Sequence, residues 1–200
     1  MDKGLDRRWV GVALVLVSVT CFALQDTLTK ILTQDHHPAL VVALRYAFGV
    51  LLLALLLGPR HKGALWRTQR TKLVVFRGAC QGVSSLCMGV AIQHLPVAEA
   101  IAIAMTAPLF VVFLARPVLG EVVGTLRTIA AIAGFIGALV ILRPGTGLYT
   151  LGTVYALASS LTFTVYILMS RELAKTETTE ALVFHTAVWG TLFLGVVWAT

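Results

Sequence analysis

Charge is scarce in this sequence. Asp, Glu, Lys and Arg make up 12% of its 200 residues, 58% are hydrophobic, and mean hydropathy is +0.89. A soluble domain of this composition has too little polar surface to cover its apolar bulk, which excludes an ordinary water-soluble globule. Cysteine is scarce as well. Cys21, Cys80 and Cys87 all lie inside apolar runs, their number is odd, and none has metal-ligand spacing. A disulfide framework or a zinc site is therefore not expected, and the three read as small packing residues. The common catalytic signatures are missing: no GxGxxG after a strand, no P-loop, no HExxH and no nucleophile elbow. The last apolar run holds no lysine that could carry a Schiff base. No cofactor and no metal is expected.

What the sequence does have is long apolar runs. Seven spans can be drawn: Trp9 to about Leu32, Pro38 to Leu57, Leu73 to Leu95, Pro96 to Ala115, about Val122 to Leu142, Leu148 to Ser170, and Ala181 to the last residue, Thr200. Each is about 20 residues, enough to cross a bilayer core as a helix. The expected fold class is all-α, a polytopic membrane helical bundle. The opening MDKGLDRRW has no small-residue cleavage site close behind it and reads as the start of an uncleaved first span. Pro38, Pro59, Pro96, Pro117 and Pro144 fall at span ends, where a missing N–H is harmless. Pro108 alone is internal. It leaves the Ala104 carbonyl without a helical partner and so predicts a kink that shapes a cavity or simply bends the span.

The net charge of +7 could suit a nucleic acid, but its distribution points to membrane topology, and no nucleic-acid partner is expected. One side of the predicted bundle collects Lys3, Arg7 and Arg8, then Arg60, Lys62, Arg67, Arg70 and Lys72, then Arg116 and Arg127, then Arg171 and Lys175. The other side has only Arg143, and Lys30, Arg45 and Arg77 lie within spans. This bias predicts a cytoplasmic N-terminus in an inner membrane. An internal repeat emerges at an offset of about 141 residues. It carries Gly11 onto Gly152, Ser18 onto Ser159, Phe22 onto Phe163 and Lys30 onto Arg171. Span one then falls on span six, so a five-span unit over 9–145 is followed by a second, partial one over 148–200. An odd number of spans per unit makes the second copy enter from the opposite side, as in transporters built from inverted repeats.

Ionisable groups inside a span are costly and are functional candidates by default. Asp26 and Lys30, four apart in span one, share a helix face and can pair. Arg45 in span two lies at about the same depth, roughly 10 Å below the outer surface at 1.5 Å per residue. Two readings stay open: Lys30 and Arg45 snorkel to the interface with Asp26 as a neutralising partner, or the three orient a charged or polar solute. Glu99, one turn into span four, is a coupling candidate or an outer headgroup contact. Arg77 and Glu121 read as interfacial anchoring and loop capping. In span three, Gly78, Gly82, Ser85 and Gly89 form a stripe for close helix approach, with Gln81 and Ser84 facing the interior. Ala130, Gly134 and Ala138 form a similar packing face in span five. Tyr155, Tyr166, His185 and Trp189 suit either a solute pocket or buried hydrogen-bonding positions.

The stretch Leu95 to Gly145 combines Pro108-Leu109-Phe110, Gly120-Glu121, Gly134-Phe135-Ile136-Gly137 and a closing Arg143-Pro144-Gly145. Together with the FALQDTLTK segment at Phe22 to Lys30 and with Arg45, it resembles the EamA transporters of the drug/metabolite transporter superfamily. The resemblance runs from about Gly11 onward. It implies ten spans in two inverted five-span repeats around a central cavity, and transport of amino-acid, vitamin or nucleoside-like solutes, in many members secondary active. Against that pattern the chain lacks about three spans of its second repeat, so it reads as C-terminally truncated.

The expectation is a non-enzymatic transporter of small metabolites working by alternating access. Asp26, Lys30, Arg45, Gln81, Ser84, Tyr166 and His185 are expected at the solute, Glu99 at coupling and Pro108 in shaping the cavity. The expected partners are the lipid bilayer and a small-molecule solute, with a homo-oligomer left open. The alternatives are a non-transporting scaffold or receptor-like subunit, or an inactive fragment of a ten-span carrier. An intramembrane enzyme would need a nucleophile beside His94 or His185, and no Ser or Cys stands at a known spacing from either. Reporter fusions within Thr33 to His37 and at Gln69 check the orientation. The first is expected outside and the second in the cytoplasm; the reverse pattern would overturn it.

Overall fold

The computed structural model describes residues 3–61, 66–120, 124–142 and 150–199. Lys62, Glu121 and Arg143-Pro144-Gly145, singled out in the sequence, lie outside the described residues, as does the side chain of Ala138. Among the described residues the regular elements are helices: α1 (Lys3–Asp35), α2 (Pro38–His61), α3 (Thr71–His94), α4 (Val97–Ala104), α5 (Ala107–Leu119), α6 (Thr125–Leu142), α7 (Leu151–Leu173) and α8 (Thr179–Ala199). Six segments among the described residues are long and apolar enough to cross a membrane: Trp9–Asp35, Pro38–Gly58, Thr71–His94, Val97–Leu119, Leu151–Leu173 and Thr179–Ala199. Helix α6 contributes a shorter apolar stretch, Thr125–Gly137.

The fourth predicted span is broken into α4 and α5 at Met105 and Thr106, three and two residues before Pro108. The proline has no N–H for the Ala104 carbonyl. Helix α7 supplies the replacement. Ser160 Oγ lies 3.5 Å from the Ala104 carbonyl and 2.8 Å from Thr106 Oγ1, while Thr164 Oγ1 donates to the Ala107 carbonyl at 3.3 Å. Hydroxyls from a neighbouring helix thus satisfy backbone groups that hydrocarbon could not. Helix α5 closes at Gly120, whose left-handed φ of 69° lets its N–H return to the Arg116 carbonyl at 3.0 Å. Helices α2 and α5 each run two residues past the prolines expected to end them, Pro59 and Pro117.

Helix α3 is the spine of the bundle. It packs along α7 and α8 and also touches α1, α2 and α4. The Arg70 side chain, just before α3, reaches Glu172 near the end of α7, and Leu95, just after α3, abuts Gly152 at the start of α7. The two helices are therefore antiparallel. The far ends of α1 and α3 meet through Lys30, so α1 runs with α3 and against α7. The small-residue stripe of α3 allows this density. A methyl placed at Gly78 would stand 2.9 Å from Trp189 Cβ, one at Gly82 3.3 Å from Phe193, and one at Gly89 3.4 Å from Val42. Close approach through small residues is the usual basis of helix association in lipid. Ser84 and Ser159 lock the α3–α7 contact reciprocally, each hydroxyl donating to the other's carbonyl at 3.0 and 2.9 Å.

The stripe of α6 behaves differently. A methyl added at Gly134 would meet nothing within 4 Å, and Ala130 and Gly134 are exposed. Helix α6 packs on α4 and α5, and Ala130 borders a cavity rather than a neighbouring helix. Helix α1 is likewise peripheral, with every side chain from Trp9 to Leu24 exposed.

Substitutions at the two kinds of glycine should separate. At Gly190 on α8 an added methyl would lie 2.8 Å from the ring of Tyr46. Gly190→Ala is expected to cost about 1–3 kcal/mol through overpacking, whereas Gly134→Ala should leave stability unchanged or raise it by up to about 1 kcal/mol. Thermal unfolding of both variants in detergent checks this.

Candidate functional site

A cavity of about 870 Å³ lies beside α3, walled by residues of α1, α2, α3, the α4–α5 break, α6 and α7. Its polar lining comes from Gln25, Asp26 and Thr29 on α1, Arg45 and Tyr46 on α2, Gln81, Ser84 and Ser85 on α3, Arg127 on α6, and Ser159, Ser160 and Arg171 on α7. The apolar lining includes Phe22, Met88, Ile92, Val111, Phe163 and Ile167. A few placed polar groups on an otherwise apolar wall is the usual make-up of a small-molecule pocket, and the volume lies in the usual range.

The elements explain how these groups meet. Pro38 starts α2 just after α1 ends at Asp35, so the two form a tight hairpin. Asp26 and Arg45 then come to similar depth. Both line the cavity, with Gln25 beside Asp26 in the same wall. The Arg45 guanidinium lies 5.2 Å from the centre of the Tyr46 ring, a cation–π distance. The Tyr46 hydroxyl is 2.8 Å from Ser85 Oγ and donates to the Gln81 carbonyl at 3.4 Å. Gln81 Oε1 is buried without a hydrogen-bond partner. An orphaned buried acceptor is expensive in a native structure and marks a place where a donor is wanted.

Of the residues singled out in the sequence, Asp26, Arg45, Gln81, Ser84 and Pro108 lie in the cavity wall. Lys30, Tyr166, His185 and Glu99 are not among the lining residues. Lys30 turns away from Asp26: its ammonium donates to the carbonyls of Ile92 and Leu95 at 2.8 and 2.7 Å. There it caps the carboxyl end of α3, where unpaired carbonyls attract a cation. Ser84 lines the wall while its hydroxyl is already engaged with Ser159.

Tyr166 belongs to a different centre. The sequence position of Arg77 suggests an interfacial anchor, yet only 4% of its surface is exposed. Its Nε donates to Ser170 Oγ at 2.7 Å, Nη1 to the Leu182 carbonyl at 3.0 Å and to Thr186 Oγ1, and Nη2 to the Tyr166 hydroxyl at 3.0 Å. The guanidinium also lies 4.4 Å from the centre of the Tyr166 ring. These contacts tie α3 to α7 and α8. His185 sits alongside, buried, with its ring 6.1 Å from Trp66 and 6.0 Å from Phe184.

Sequence reasoning did not single out Tyr46, Ser85, Ser160, Phe163, Arg127 or Arg171 for the wall. Tyr46 follows Arg45 directly, and the Ser159-Ser160 pair interrupts an apolar span, so both carried a weak signal. Arg127 and Arg171 read as loop charges because they stand at span ends.

A second crevice of about 690 Å³ lies between α1 and α2, lined mostly by apolar side chains such as Leu24, Leu28, Val41 and Leu44. It shares Gln25, Thr29 and Arg45 with the larger cavity.

Comparison with known proteins agrees with this architecture. No solved structure matches the chain significantly. Among curated proteins, it is 30% identical over 145 residues to the riboflavin transporter of Brucella anthropi, covering 72% of this chain and 51% of that protein. It is 26% identical over 190 residues to the S-adenosylmethionine uptake transporter of Rickettsia prowazekii, covering 94% and 64% respectively. It is 28% identical over 189 residues to the pseudopaline exporter CntI of Pseudomonas aeruginosa, covering 94% and 66%. The chain therefore spans about half to two thirds of the length of these relatives. Residues 9–143 match the EamA-like transporter family, and the chain belongs to that family.

Proposed function

We propose that the cavity beside α3 is the solute site of a membrane transporter for small metabolites, working by secondary active, alternating access. The observation that carries this reading is the cavity itself: its wall is drawn from helices on both sides of the α3–α7 contact and gathers Asp26, Arg45 and Gln81 among apolar side chains. Asp26 and Arg45 orient the charged part of the solute, and the orphaned Gln81 Oε1 accepts from a hydroxyl or amine upon it. The relatives support small organic solutes and both directions of movement, since they are named as uptake transporter and exporter.

The remaining assignments follow from the same reading. Segments 9–145 and 148–200 are the first and the beginning of the second of two inverted repeats, supported by the opposed directions of α1 and α7. Rocking of one repeat against the other would expose the cavity alternately at each face. The break before Pro108 gives the wall a point that can flex. Glu99 serves coupling from outside the cavity, and Lys30, Tyr166 and His185 support the site through α3 and α8 rather than by touching the solute. The protein is multi-pass in the inner membrane with its N-terminus in the cytoplasm, and it acts as a carrier rather than as an enzyme.

A thermal-shift screen of vitamins, nucleosides and amino acids on the purified chain selects a solute for proteoliposome uptake. With that solute, Asp26→Asn and Arg45→Ala are each expected to lower the initial rate about tenfold or more, the effect of losing a charge-assisted hydrogen bond. Wild-type rates in both variants would remove the cavity from the transport path.

A further inference from the structure

Helix α3 packs along both α7 and α8, and Arg77 is the centre of that joint. Its guanidinium donates to three side-chain hydroxyls, those of Tyr166 and Ser170 on α7 and Thr186 on α8. On either side of Arg77 the contact is apolar. Leu173 and Leu182 pack on Val74 of α3, and Trp189 lies so close to Gly78 that an added methyl would stand 2.9 Å from its Cβ.

The offset of about 141 residues carries the α1–α2 hairpin onto α7–α8 without a gap, so that Pro38, which opens α2, falls on Thr179, which opens α8. It carries Gln25 onto Tyr166, Thr29 onto Ser170 and Arg45 onto Thr186, the three side chains that hold Arg77. It carries Leu32 onto Leu173, Val41 onto Leu182 and Phe48 onto Trp189, the apolar side chains that flank it. All six counterparts line the crevice of about 690 Å³ between α1 and α2. That crevice is open where the equivalent groove holds α3. The local bonding agrees as well. Thr29 Oγ1 donates to the Gln25 carbonyl at 2.8 Å, just as Ser170 Oγ donates to the Tyr166 carbonyl at 2.6 Å while accepting from Arg77.

The correspondence breaks at one charge. Where α8 has the neutral Thr186, α2 has Arg45. A cation at the level of Arg77 would meet a second guanidinium in a medium of low dielectric, which is repulsive. A carboxylate at that level would meet the side chain best matched to it. Among the described residues no carboxylate lines the crevice, and Asp26 borders the larger cavity alone.

We propose that the α1–α2 crevice seats a further transmembrane helix, antiparallel to α1 and built like α3, but with a carboxylate in place of Arg77 that pairs with Arg45. The charge of the joint is thereby reversed between the two grooves. The inference does not rest on the transport reading. Arg45 borders both spaces, and its five donors can serve a helix on one side and a solute on the other.

The probe is a synthetic α3 peptide, residues 71–94, in native, Arg77→Gln and Arg77→Glu forms, each with Val74→Cys, Cys80→Ala and Cys87→Ala. The full chain, with Cys21, Cys80 and Cys87 changed to alanine, carries Leu32→Cys in phosphatidylcholine liposomes. Ile31→Cys, at the same depth but outside the crevice lining, gives the rate of random collision. Initial rates of disulfide formation are compared. The Arg77→Glu peptide is expected to react with Leu32→Cys about tenfold faster than the native peptide, the effect of a charge-assisted hydrogen bond, and faster than it reacts with Ile31→Cys. Arg45→Glu in the chain should invert the order of the two peptides. Arg45→Gln should bring their rates together, and it decides the matter should Arg45→Glu fail to fold. Equal rates for all three peptides would mean that lipid fills the crevice, and would overturn the proposal. An order that survives Arg45→Gln would overturn it too. So would a chain that, without peptide, links to itself faster through Leu32→Cys than through Ile31→Cys, since a second copy would then cover the crevice. Failure of the uptake test leaves these rates unaffected, and failure here leaves the transport reading standing.

Discussion

Arg77 carries a full positive charge inside an apolar bundle, and the arrangement of α3, α7 and α8 depends on how that charge is satisfied. Among the described residues its partners are neutral: two hydroxyls of α7, a hydroxyl and a carbonyl of α8, and the face of the Tyr166 ring. A guanidinium in such a place is tolerable only while nearly all its N–H groups are occupied. Any sliding of α7 or α8 past α3 would strand donors in a medium with no water to replace the lost partners. The planar fork of arginine reaches both helices at once, which a single ammonium could not do with the same set of acceptors.

The rest of the packing follows from that fixed register. With α3 and α7 held antiparallel, Ser84 meets Ser159, and along α7 Ser160 reaches the Ala104 carbonyl freed by Pro108 while Thr164 reaches the Ala107 carbonyl at the start of α5. Helix α7 thus serves the spine on one face and the broken span on another. The cavity occupies the space left between these contacts and the α1–α2 hairpin. Tyr46 is held in its wall by Ser85, at 2.8 Å. Lys30 fixes the hairpin to the end of α3 and so determines how far Asp26 stands from the spine.

The helices were legible in the sequence because apolar runs of about 20 residues bounded by prolines and charges have few other outcomes. The kink at Pro108 was legible for the same kind of reason, a missing donor, although the sequence could not say which helix would supply the substitute. The site was legible where residues lie close along the chain. Asp26 and Arg45 reach the same cavity wall through a hairpin with almost no loop, and Gln81 betrays itself by being polar within an apolar span. Contacts between distant spans were not legible. Nothing in the spacing of Tyr166 says that it meets Arg77, and nothing near Lys30 says that it prefers two carbonyls of α3 to the carboxylate four residues away. Arg127 and Arg171 carried a signal that topology alone absorbed. The small-residue pattern marks a tight interface on α3, whereas at Gly134 of α6 an added side chain would meet nothing within 4 Å.

The spine itself is tested most directly by the unfolding temperature of Arg77→Gln beside Arg77→Lys, measured on the purified chain in nanodiscs. Losing charge-assisted hydrogen bonds to two helices is expected to cost about 3 kcal/mol or more, which for a chain of this size lowers the midpoint by at least about 6 °C. Arg77→Lys should recover only part of that loss, since three donors on one nitrogen cannot reach the acceptors of both α7 and α8 together. An Arg77→Gln chain that unfolds at the wild-type temperature would contradict the account.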